Sequence, residues 1–451
     1  MDKTKSVKSR TKNPFLIFYD SRVFLVILIK IMFMKVLHVT YSNHKDGAAI
    51  AVARLHKALL KTGIDSTILS VRCSKKTERS IPALGSTKLL LNRIINRILW
   101  KLFSKIKKDT LLAGCSLNIF PTGLHRKINS SDADIVHLHW INNEMISIKE
   151  IAKITKPIVW TLHDMWAFCG IEHYSTTERY KDGYKKINAN SKNKLDRIDF
   201  WIWKQKQKAW GKSIFNFVTP SHWLSDCVLS SKLLGHHPIK VIPNPFDIDI
   251  FSPQDQIQAR EILNLPQDKT LILIGAASLS VKYKGMDLFI QSLNYINTEF
   301  DIVVFGGVFE TSSKHTVHQM GAIWDEKKMA SLYSAVDLFV LPSRIDNFPS
   351  TGVESLACGT PVVAFNIGGL PDMINHKKNG YLATPFDVKD LANGIDWIST
   401  QLNKNNKAEY QTLCSKARDK VIRSFSEEIV AEKYTNLYTQ LLLGKNENRC
   451  V

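Results

Sequence analysis

The sequence lacks the cysteine pattern of a disulfide framework or of a structural zinc site. Its seven cysteines are odd in number, scattered along 451 residues, and form no Cys-x-x-Cys pair. We therefore expect a chain from a reducing compartment, without disulfides and without structural zinc. No repeat of fixed period and no low-complexity tract is visible either.

Acidic residues are scarce. The chain has 41 Asp and Glu against 61 Lys and Arg, a formal net charge of +20. An excess of positive charge is typical of proteins that bind nucleic acid. No zinc-finger, RRM or KH signature is present, however, so we expect no nucleic acid as partner. A positive chain also suits an anionic membrane surface or an anionic small-molecule ligand.

A hydrophobic run long enough to span a bilayer is missing from the N-terminus. Residues 1–33 contribute a net charge of +5, and the apolar run at 23–34 contains Lys30. That run is shorter than the roughly 20 residues a spanning helix needs. No Ala-x-Ala-like cleavage site follows it. We interpret residues 1–33 as an upstream extension, for which a mis-called start ahead of Met34 is one explanation; a membrane anchor is the alternative.

What the chain does have is the composition of a globular protein, with 44% hydrophobic and 23% charged residues. Its length predicts two or three domains. Strand-like runs alternate with helical patterns in both halves, which is typical of doubly wound parallel sheets in the α/β class. The clearest runs are Val36–Tyr41, Asp134–Trp140, Pro157–His163, Leu271–Gly275, Asp301–Phe305 and Leu338–Leu341.

The segment Pro342–Ala364 carries the most chemistry. Asp346 stands eight residues before Glu354, with a turn-rich stretch between them and a small-residue helix around the second acid. A strand, a loop and a helix N-terminus together form a natural anion site. The two acids could hold hydroxyl groups while the amides face phosphate. The alternative is an ordinary strand–loop–helix unit with capped ends.

This segment resembles the donor-binding signature of the retaining family 4 glycosyltransferases. These are two-domain enzymes of the GT-B type that transfer a sugar from a nucleotide-sugar. The family usually has Glu-x7-Glu, and here Asp346 replaces the first Glu. The resemblance implies that Glu354 holds the ribose and Asp346 the donor sugar. It also implies donor binding by the four residues Phe348, Pro349, Ser350 and Thr351.

Two more segments match the family. Gly47-Ala48 resembles its glycine-rich loop at the donor diphosphate, although Asp46 replaces one glycine. Lys284 precedes a glycine, as the family's phosphate-binding lysine does. Ala276 stands where an arginine is common, and Lys282 is a candidate to compensate. The alternatives are a generic βα turn and a solvated lysine loop.

Three histidines lie at or near strand ends. His163 ends a strand run and begins the segment His163-Asp164-Met165-Trp166, which is similar to one branch of the family. The resemblance implies a place beside the donor sugar, and we assign His163, Asp346 and Lys284 as catalytic; a structural histidine is the alternative. His137 and His139 face one side of their strand. We interpret them as packed or polar-network residues rather than metal ligands.

The resemblance implies the following organisation. Residues 1–33 are the extension, 34–243 an acceptor-side Rossmann-like domain, 244–425 the donor-binding domain, and 426–451 a helix crossing back to the first domain.

The implied activity is that of a hexosyltransferase-type glycosyltransferase (EC 2.4), acting with retention and without metal or cofactor. The expected substrate is a UDP- or GDP-linked sugar. The implied setting is bacterial surface polysaccharide synthesis, such as capsule or O-antigen. The alternatives are a nucleotide-sugar epimerase of the same fold and a catalytically silent scaffold of a polysaccharide assembly complex.

A basic amphipathic segment runs from Ser86 to Lys108. Its cations recur every four residues, at Arg93, Arg97, Lys101 and Lys105, beside an apolar face. This spacing is helical and suits anionic headgroups. Together with a lipid-linked saccharide acceptor, it predicts a cytoplasmic protein peripheral on the inner face of the membrane. The alternative is a core-facing helix with a solvated cationic edge.

Overall fold

The computed structural model describes residues 33–43, 46–73, 77–106, 114–175, 177–185, 194–276, 279, 281–309, 315–402 and 407–447. Apart from Phe33, the predicted extension at 1–33 lies outside these residues. No helix in the described ranges is both long enough and apolar enough to span a bilayer.

The first sheet has seven strands and is parallel throughout. In spatial order it runs β3-β2-β1-β4-β5-β6-β7, so the chain reverses direction across the sheet between β1 and β4. Its strands are β1 (Lys35–Ser42), β2 (Asp65–Arg72), β3 (Ser80–Pro82), β4 (Ile135–Leu138), β5 (Ile158–Thr161), β6 (Asn216–Thr219) and β7 (Ile239–Val241). The strands β4 and β5 are buried on both faces, as helix-covered parallel sheets require.

The second sheet has six strands, again all parallel, in the order β10-β9-β8-β11-β12-β13. They are β8 (Leu271–Gly275), β9 (Asp301–Phe305), β10 (Val317–Gln319), β11 (Leu338–Leu341), β12 (Val362–Phe365) and β13 (Gly380–Ala383). Here the reversal lies between β8 and β11. Ligands of such sheets bind at the carboxyl ends of the strands beside the reversal.

Helices cover both faces of each sheet. The first half of the chain contributes α1 (Gly47–Lys61), α2 (Ser86–Ile106), α3 (Leu124–Asn129), α4 (Ile148–Ile151), α5 (Arg179–Asp182), α6 (Lys194–Trp210) and α7 (His222–Leu229). The second half contributes α8 (Gln256–Ile262), α9 (Met286–Ser292), α10 (Glu326–Ala335), α11 (Ser350–Ala357), α12 (Leu370–Met373), α13 (Val388–Gln401), α14 (Lys407–Phe425) and α15 (Glu427–Glu447). Short 3-10 turns occupy Lys282–Lys284 and Leu293–Tyr295.

The last helix, α15, crosses back to the first sheet, as predicted. Val430, Tyr434 and Tyr438 are buried in one cluster with Val36 of β1 and Leu55 of α1. The crossing runs beside the outgoing linker, because the Phe246 amide donates to the Phe425 carbonyl at 2.9 Å. The chain therefore passes between the two domains twice at nearly the same place.

The amphipathic segment forms α2, and one apolar side of it is exposed. Leu91, Ile94, Ile98 and Leu102 are each about half exposed, between 47% and 54%. On the inner side, Leu89 and Leu99 are partly buried against the core, and the side-chain amides of Asn92 and Asn96 donate to the Asn143 carbonyl. The core-facing alternative is therefore wrong for the four half-exposed residues. The side chain of Lys105 lies outside the described residues.

Candidate active site

A cavity of about 850 Å³ opens between the two domains. Ten residues predicted from the sequence line it: Gly47, Ala48, His163, Lys284, Asp346, Phe348, Pro349, Ser350, Thr351 and Glu354. They lie in the segments that follow β1 and β5 of the first sheet and β8 and β11 of the second. The fold thus brings the sequence-predicted residues together in one cleft, while their individual roles stay predictions.

Lys284 and Asp346 form an ion pair on the side of the second domain. The Lys284 Nζ lies 2.6 Å from Asp346 Oδ2. Burial opposes the charge of Lys284, but the Asp346 carboxylate prevails and raises the pKa of the lysine. Gly285 makes this approach possible, because it has φ of 71° and a Cβ there would lie 1.8 Å from the Pro342 carbonyl oxygen. The pair has no net charge, and within it Lys284 stays protonated at the edge of the cavity.

Glu354 is the second acid of this wall, and it is buried. Its Oε1 accepts a hydrogen bond from Arg54 Nη2 at 2.8 Å, and its Oε2 accepts one from the Tyr333 hydroxyl at 3.2 Å. Arg54 also donates to Glu326 at 2.8 Å. Because Arg54 belongs to α1 and both carboxylates belong to the second domain, this triad links the domains at the cleft. We call Lys284, Asp346 and Glu354 the C-terminal wall.

Backbone groups add an anion-binding surface. Helix α11 begins at Ser350 after Pro349, which offers no capping side chain, and both residues line the cavity. The first amides of such a helix attract anions. On the opposite side, a Cβ at Gly47 would meet nothing within 4 Å. Space therefore exists there for a ligand to approach the backbone.

His163 faces the cleft from the first domain and is half buried. Burial lowers its pKa to about 4, although the neighbouring Asp164 acts in the opposite direction. Its Nε2 lies 3.3 Å from His139 Nδ1, and His139 Nε2 lies 2.9 Å from His38 Nδ1. We call these three neutral histidines the N-terminal wall. The prediction of His139 as a polar-network residue is thereby confirmed.

Asp164 organises the segment after His163. Its Oδ2 accepts from Trp140 Nε1 at 2.7 Å and lies 2.5 Å from His173 Nδ1. Burial opposes its charge, but the contact with His173 lowers its pKa overall. Sequence reasoning assigned no role to Asp164, His173 or Arg54. The only signal for Arg54 was its place two turns into the helix that follows Gly47.

The position of the missing arginine, Ala276, and the lysine that could compensate for it, Lys282, lie in different surroundings. Ala276 lines the cavity, so no cation stands at that position. Lys282 is exposed and does not line the cavity. Among the described residues of this loop, Lys284 is thus the cation that lines the cavity.

Two family models match the chain, one for each half. Residues 255–412 match the model of glycosyl transferases group 1, and residues 45–250 match that of glycosyltransferase family 4. The two matches do not overlap and together cover most of the chain.

Sequence relatives carry the same kind of description. A putative colanic acid biosynthesis glycosyl transferase, WcaC of Escherichia coli, is 24% identical over 78% of this chain and 84% of its own length. A D-inositol 3-phosphate glycosyltransferase of Xylanimonas cellulosilytica is 32% identical over 33% of this chain. That alignment spans only 40% of the relative's length.

Solved structures establish the architecture. A sucrose-phosphate synthase from Thermosynechococcus elongatus superposes with a TM-score of 0.60 at 18% identity, covering 91% of this chain and all of that one. HepE of Anabaena, solved in complex with UDP-glucose, gives 0.59 at 17% identity, covering 90% of this chain and all of the other. At these identities the likeness shows the fold, which is the two-domain GT-B arrangement predicted from the sequence.

Proposed function

We propose that this chain, whose two halves match the models of glycosyltransferase family 4 and of glycosyl transferases group 1, transfers a sugar from a nucleotide-diphosphate-sugar to a saccharide acceptor with retention of configuration. One observation carries the proposal. Lys284 follows β8, whereas Asp346 and Glu354 follow β11, and all three lie in a single cleft between the domains. That cleft is at the carboxyl ends of strands beside the reversal of the second sheet, where nucleotides bind in such folds.

The donor would lie along the C-terminal wall. Glu354 would accept hydrogen bonds from the ribose hydroxyls, and Asp346 one from a hydroxyl of the donor sugar. The diphosphate would lie between Lys284 and the first amides of α11, with the open backbone at Gly47 across from it. Arg54 already occupies one oxygen of Glu354 at 2.8 Å. The ribose would therefore share the carboxylate with Arg54 or displace it.

In the proposed reaction, the bond between the anomeric carbon and the phosphate oxygen breaks on the same face where the acceptor oxygen forms its new bond. The proton of the acceptor hydroxyl goes to the leaving phosphate, so the products are a glycoside and a nucleoside diphosphate. Negative charge grows on the phosphate as the bond breaks. Fixed donors aimed at such charge are the largest catalytic term in many enzymes. Lys284 and the α11 amides would supply them without a metal.

We propose that the acceptor is lipid-linked and that α2 meets the membrane surface. The half-exposed apolar residues Leu91, Ile94, Ile98 and Leu102 share this helix with the exposed cations Arg93, Arg97 and Lys101. Such a combination suits an interfacial helix on anionic lipid. Asn96 and Leu99 of the same helix line the cavity. A surface-bound α2 would thus bring the cleft close to an acceptor held in the membrane.

The proposed setting is surface polysaccharide synthesis on the inner face of the cytoplasmic membrane. Support comes from the similarity to WcaC, whose description names colanic acid biosynthesis, and from the interfacial character of α2.

The function is tested by screening nucleotide-sugars for thermal stabilisation and then following the bound one by NMR, with and without acceptor lipids. A ligand at about 100 times its Kd adds roughly 2.7 kcal/mol of stability. We expect one UDP- or GDP-sugar to stabilise the protein and to be consumed only with an acceptor, giving a product of unchanged anomeric configuration. Conversion of the donor alone into its epimer would identify an isomerase. Failure of every nucleotide to bind would identify a scaffold.

A further inference from the structure

Behind His163 lies a row of buried histidines that the proposed reaction does not use. His38 of β1, His137 of β4 and His139 just beyond β4 are all buried, and one side-chain nitrogen from each lies within 4.8 Å of the other two. Burial lowers the pKa of each far below the ordinary histidine value. The imidazoles are therefore neutral, and each has one N–H donor and one acceptor nitrogen.

A metal is one reading of this cluster, but the hydrogen bonds argue against it. Both nitrogens of His137 are engaged, one by the Tyr438 hydroxyl at 2.6 Å and one by the Thr161 hydroxyl at 2.7 Å. His38 Nδ1 and His139 Nε2 are 2.9 Å apart, which is a hydrogen-bond distance. Apart from His38 Nε2, the nitrogens of this cluster are thus already bonded to other histidines or to hydroxyls.

The remaining nitrogens define the direction in which hydrogen bonds are donated along the row of histidines. His38 Nε2 is buried and has no hydrogen-bond partner. Buried N–H groups without an acceptor are rarer in proteins than buried acceptors without a donor. His38 therefore carries its proton on Nδ1 and donates it to His139 Nε2. Since that nitrogen accepts, His139 carries its own proton on Nδ1 and donates to His163 Nε2, 3.3 Å away.

We propose that His38 and His139 are positioning residues that hold His163 in the tautomer with its proton on Nδ1. His163 then presents a neutral N–H donor to the cleft, suited to an oxygen of the donor sugar or its phosphate. The identity of that ligand rests on the proposed function. The tautomer itself does not, because it follows from the hydrogen-bond chain in the ligand-free protein.

The groups around these histidines keep the imidazoles neutral and hold their rings in place. The His137 ring packs against His139 with ring centroids 3.9 Å apart and the ring planes tilted by 35°. Tyr434 and Tyr438 of α15 close the pocket, and the Tyr434 hydroxyl lies 2.9 Å from the Thr161 hydroxyl. The carboxylate in direct sequence contact with His163, Asp164, is engaged by Trp140 and His173. The hydrogen bonds that Asp164 accepts thus go to these two residues rather than to the row of histidines.

The decisive experiment is the tautomer of His163 in the full chain, without ligand, read from ¹⁵N-histidine side-chain correlations. The His163 signals are assigned by their loss in His163→Asn. We expect a protonated Nδ1 and an unprotonated Nε2. The reverse pattern, a rapidly averaging mixture, or one equivalent of bound zinc in the purified protein would overturn the proposal. Because no substrate is present, this outcome is independent of whether the protein transfers sugar.

Variants of His139 separate positioning from folding. His139→Asn keeps an N–H donor near the position of Nδ1, whereas His139→Leu removes it. With the leucine we expect His163 to lose its tautomer preference and kcat to fall about tenfold, the effect of one misdirected hydrogen bond, with little change in the Kd of the nucleoside diphosphate. His139→Asn should restore most of the tautomer preference of His163 and most of kcat. If His139→Leu does not fold, His38→Leu gives the same comparison. Equal loss of kcat and of nucleotide affinity in both His139 variants would indicate a purely structural role.

Discussion

The two walls of the cleft are built from opposite kinds of polar group. On the C-terminal wall every group is ionic and paired: Lys284 with Asp346 at 2.6 Å and Glu354 with Arg54 at 2.8 Å. On the N-terminal wall His163 is neutral, with a pKa lowered to about 4 by burial, and its partner is another neutral imidazole. One wall thus presents ionic groups to a ligand, and the other presents neutral hydrogen-bonding groups in a fixed orientation.

This difference fits the two tasks of the proposed reaction. A nucleoside diphosphate is strongly anionic, so the wall that binds it gains from a fixed cation. A sugar ring is uncharged, and a neutral donor can orient it without adding a charge beside the reacting carbon. The paired carboxylates also explain how the C-terminal wall stays stable without ligand. A buried charge left without a partner is costly, and here each has one.

The largest expected effect is the loss of the cation from the C-terminal wall. Lys284→Ala should lower kcat by roughly a hundredfold or more, since one donor to a developing oxyanion contributes about 3 kcal/mol. Steady-state turnover is measured beside Lys282→Ala, the matched control, which removes an exposed lysine of the same loop. Wild-type turnover in Lys284→Ala, or equal losses in both variants, would show that the charge of this wall is not what drives the chemistry.

Thermal unfolding is recorded for the same proteins, because removing Lys284 leaves Asp346 buried without its partner. Lys284→Arg retains the positive charge and should retain more activity than the alanine variant. If the alanine and arginine variants are equally inactive but differ in stability, the requirement is for shape rather than charge.

The smallest expected effect on turnover belongs to α2, outside both walls. Changing Arg93, Arg97, Lys101 and Lys105 to Gln should leave turnover on a short, water-soluble acceptor nearly unchanged. Binding to anionic vesicles should fall by orders of magnitude, because each cation contributes about 1 kcal/mol at such a surface. Co-sedimentation at low and high salt measures this.

The matched control removes four exposed lysines from the second domain, Lys269, Lys378, Lys407 and Lys416, and should sediment like wild type. Similar losses in both quadruple variants would mean that net charge, not α2, drives vesicle binding. Vesicle binding unaffected by mutation and by salt would remove α2 from the membrane proposal altogether.

The sequence predicted the two walls unequally. The C-terminal wall comes from contiguous motifs, so its residues Asp346, Glu354 and Lys284 could be singled out by their resemblance to the family's signature segments. The structure explains why a glycine must follow Lys284: a Cβ at position 285 would clash with the Pro342 carbonyl.

What local patterns could not reveal is pairing over long distances. Arg54 and Glu354 are 300 residues apart in the chain, and no periodicity links them. The row of His38, His139 and His163 needs the order of β1, β4 and β5 in the sheet, which strand prediction does not give. The sequence could not decide whether the apolar side of α2 faces the core or the outside. Amphipathic spacing shows that a helix has an apolar face, but not what covers that face.

The central claim is that the C-terminal wall binds a nucleotide-sugar, with Glu354 at the ribose and Asp346 at the sugar. Calorimetric titration of the nucleoside diphosphate and of the nucleotide-sugar into wild type, Glu354→Gln and Asp346→Asn tests it directly. Glu326→Gln is included because it removes the other carboxylate on Arg54 and reports the contribution of that link separately. We predict that Glu354→Gln weakens both ligands by about 1.5–3 kcal/mol and that Asp346→Asn weakens only the nucleotide-sugar by a similar amount. Equal losses for both ligands in Asp346→Asn, or unchanged binding in Glu354→Gln, would contradict the account.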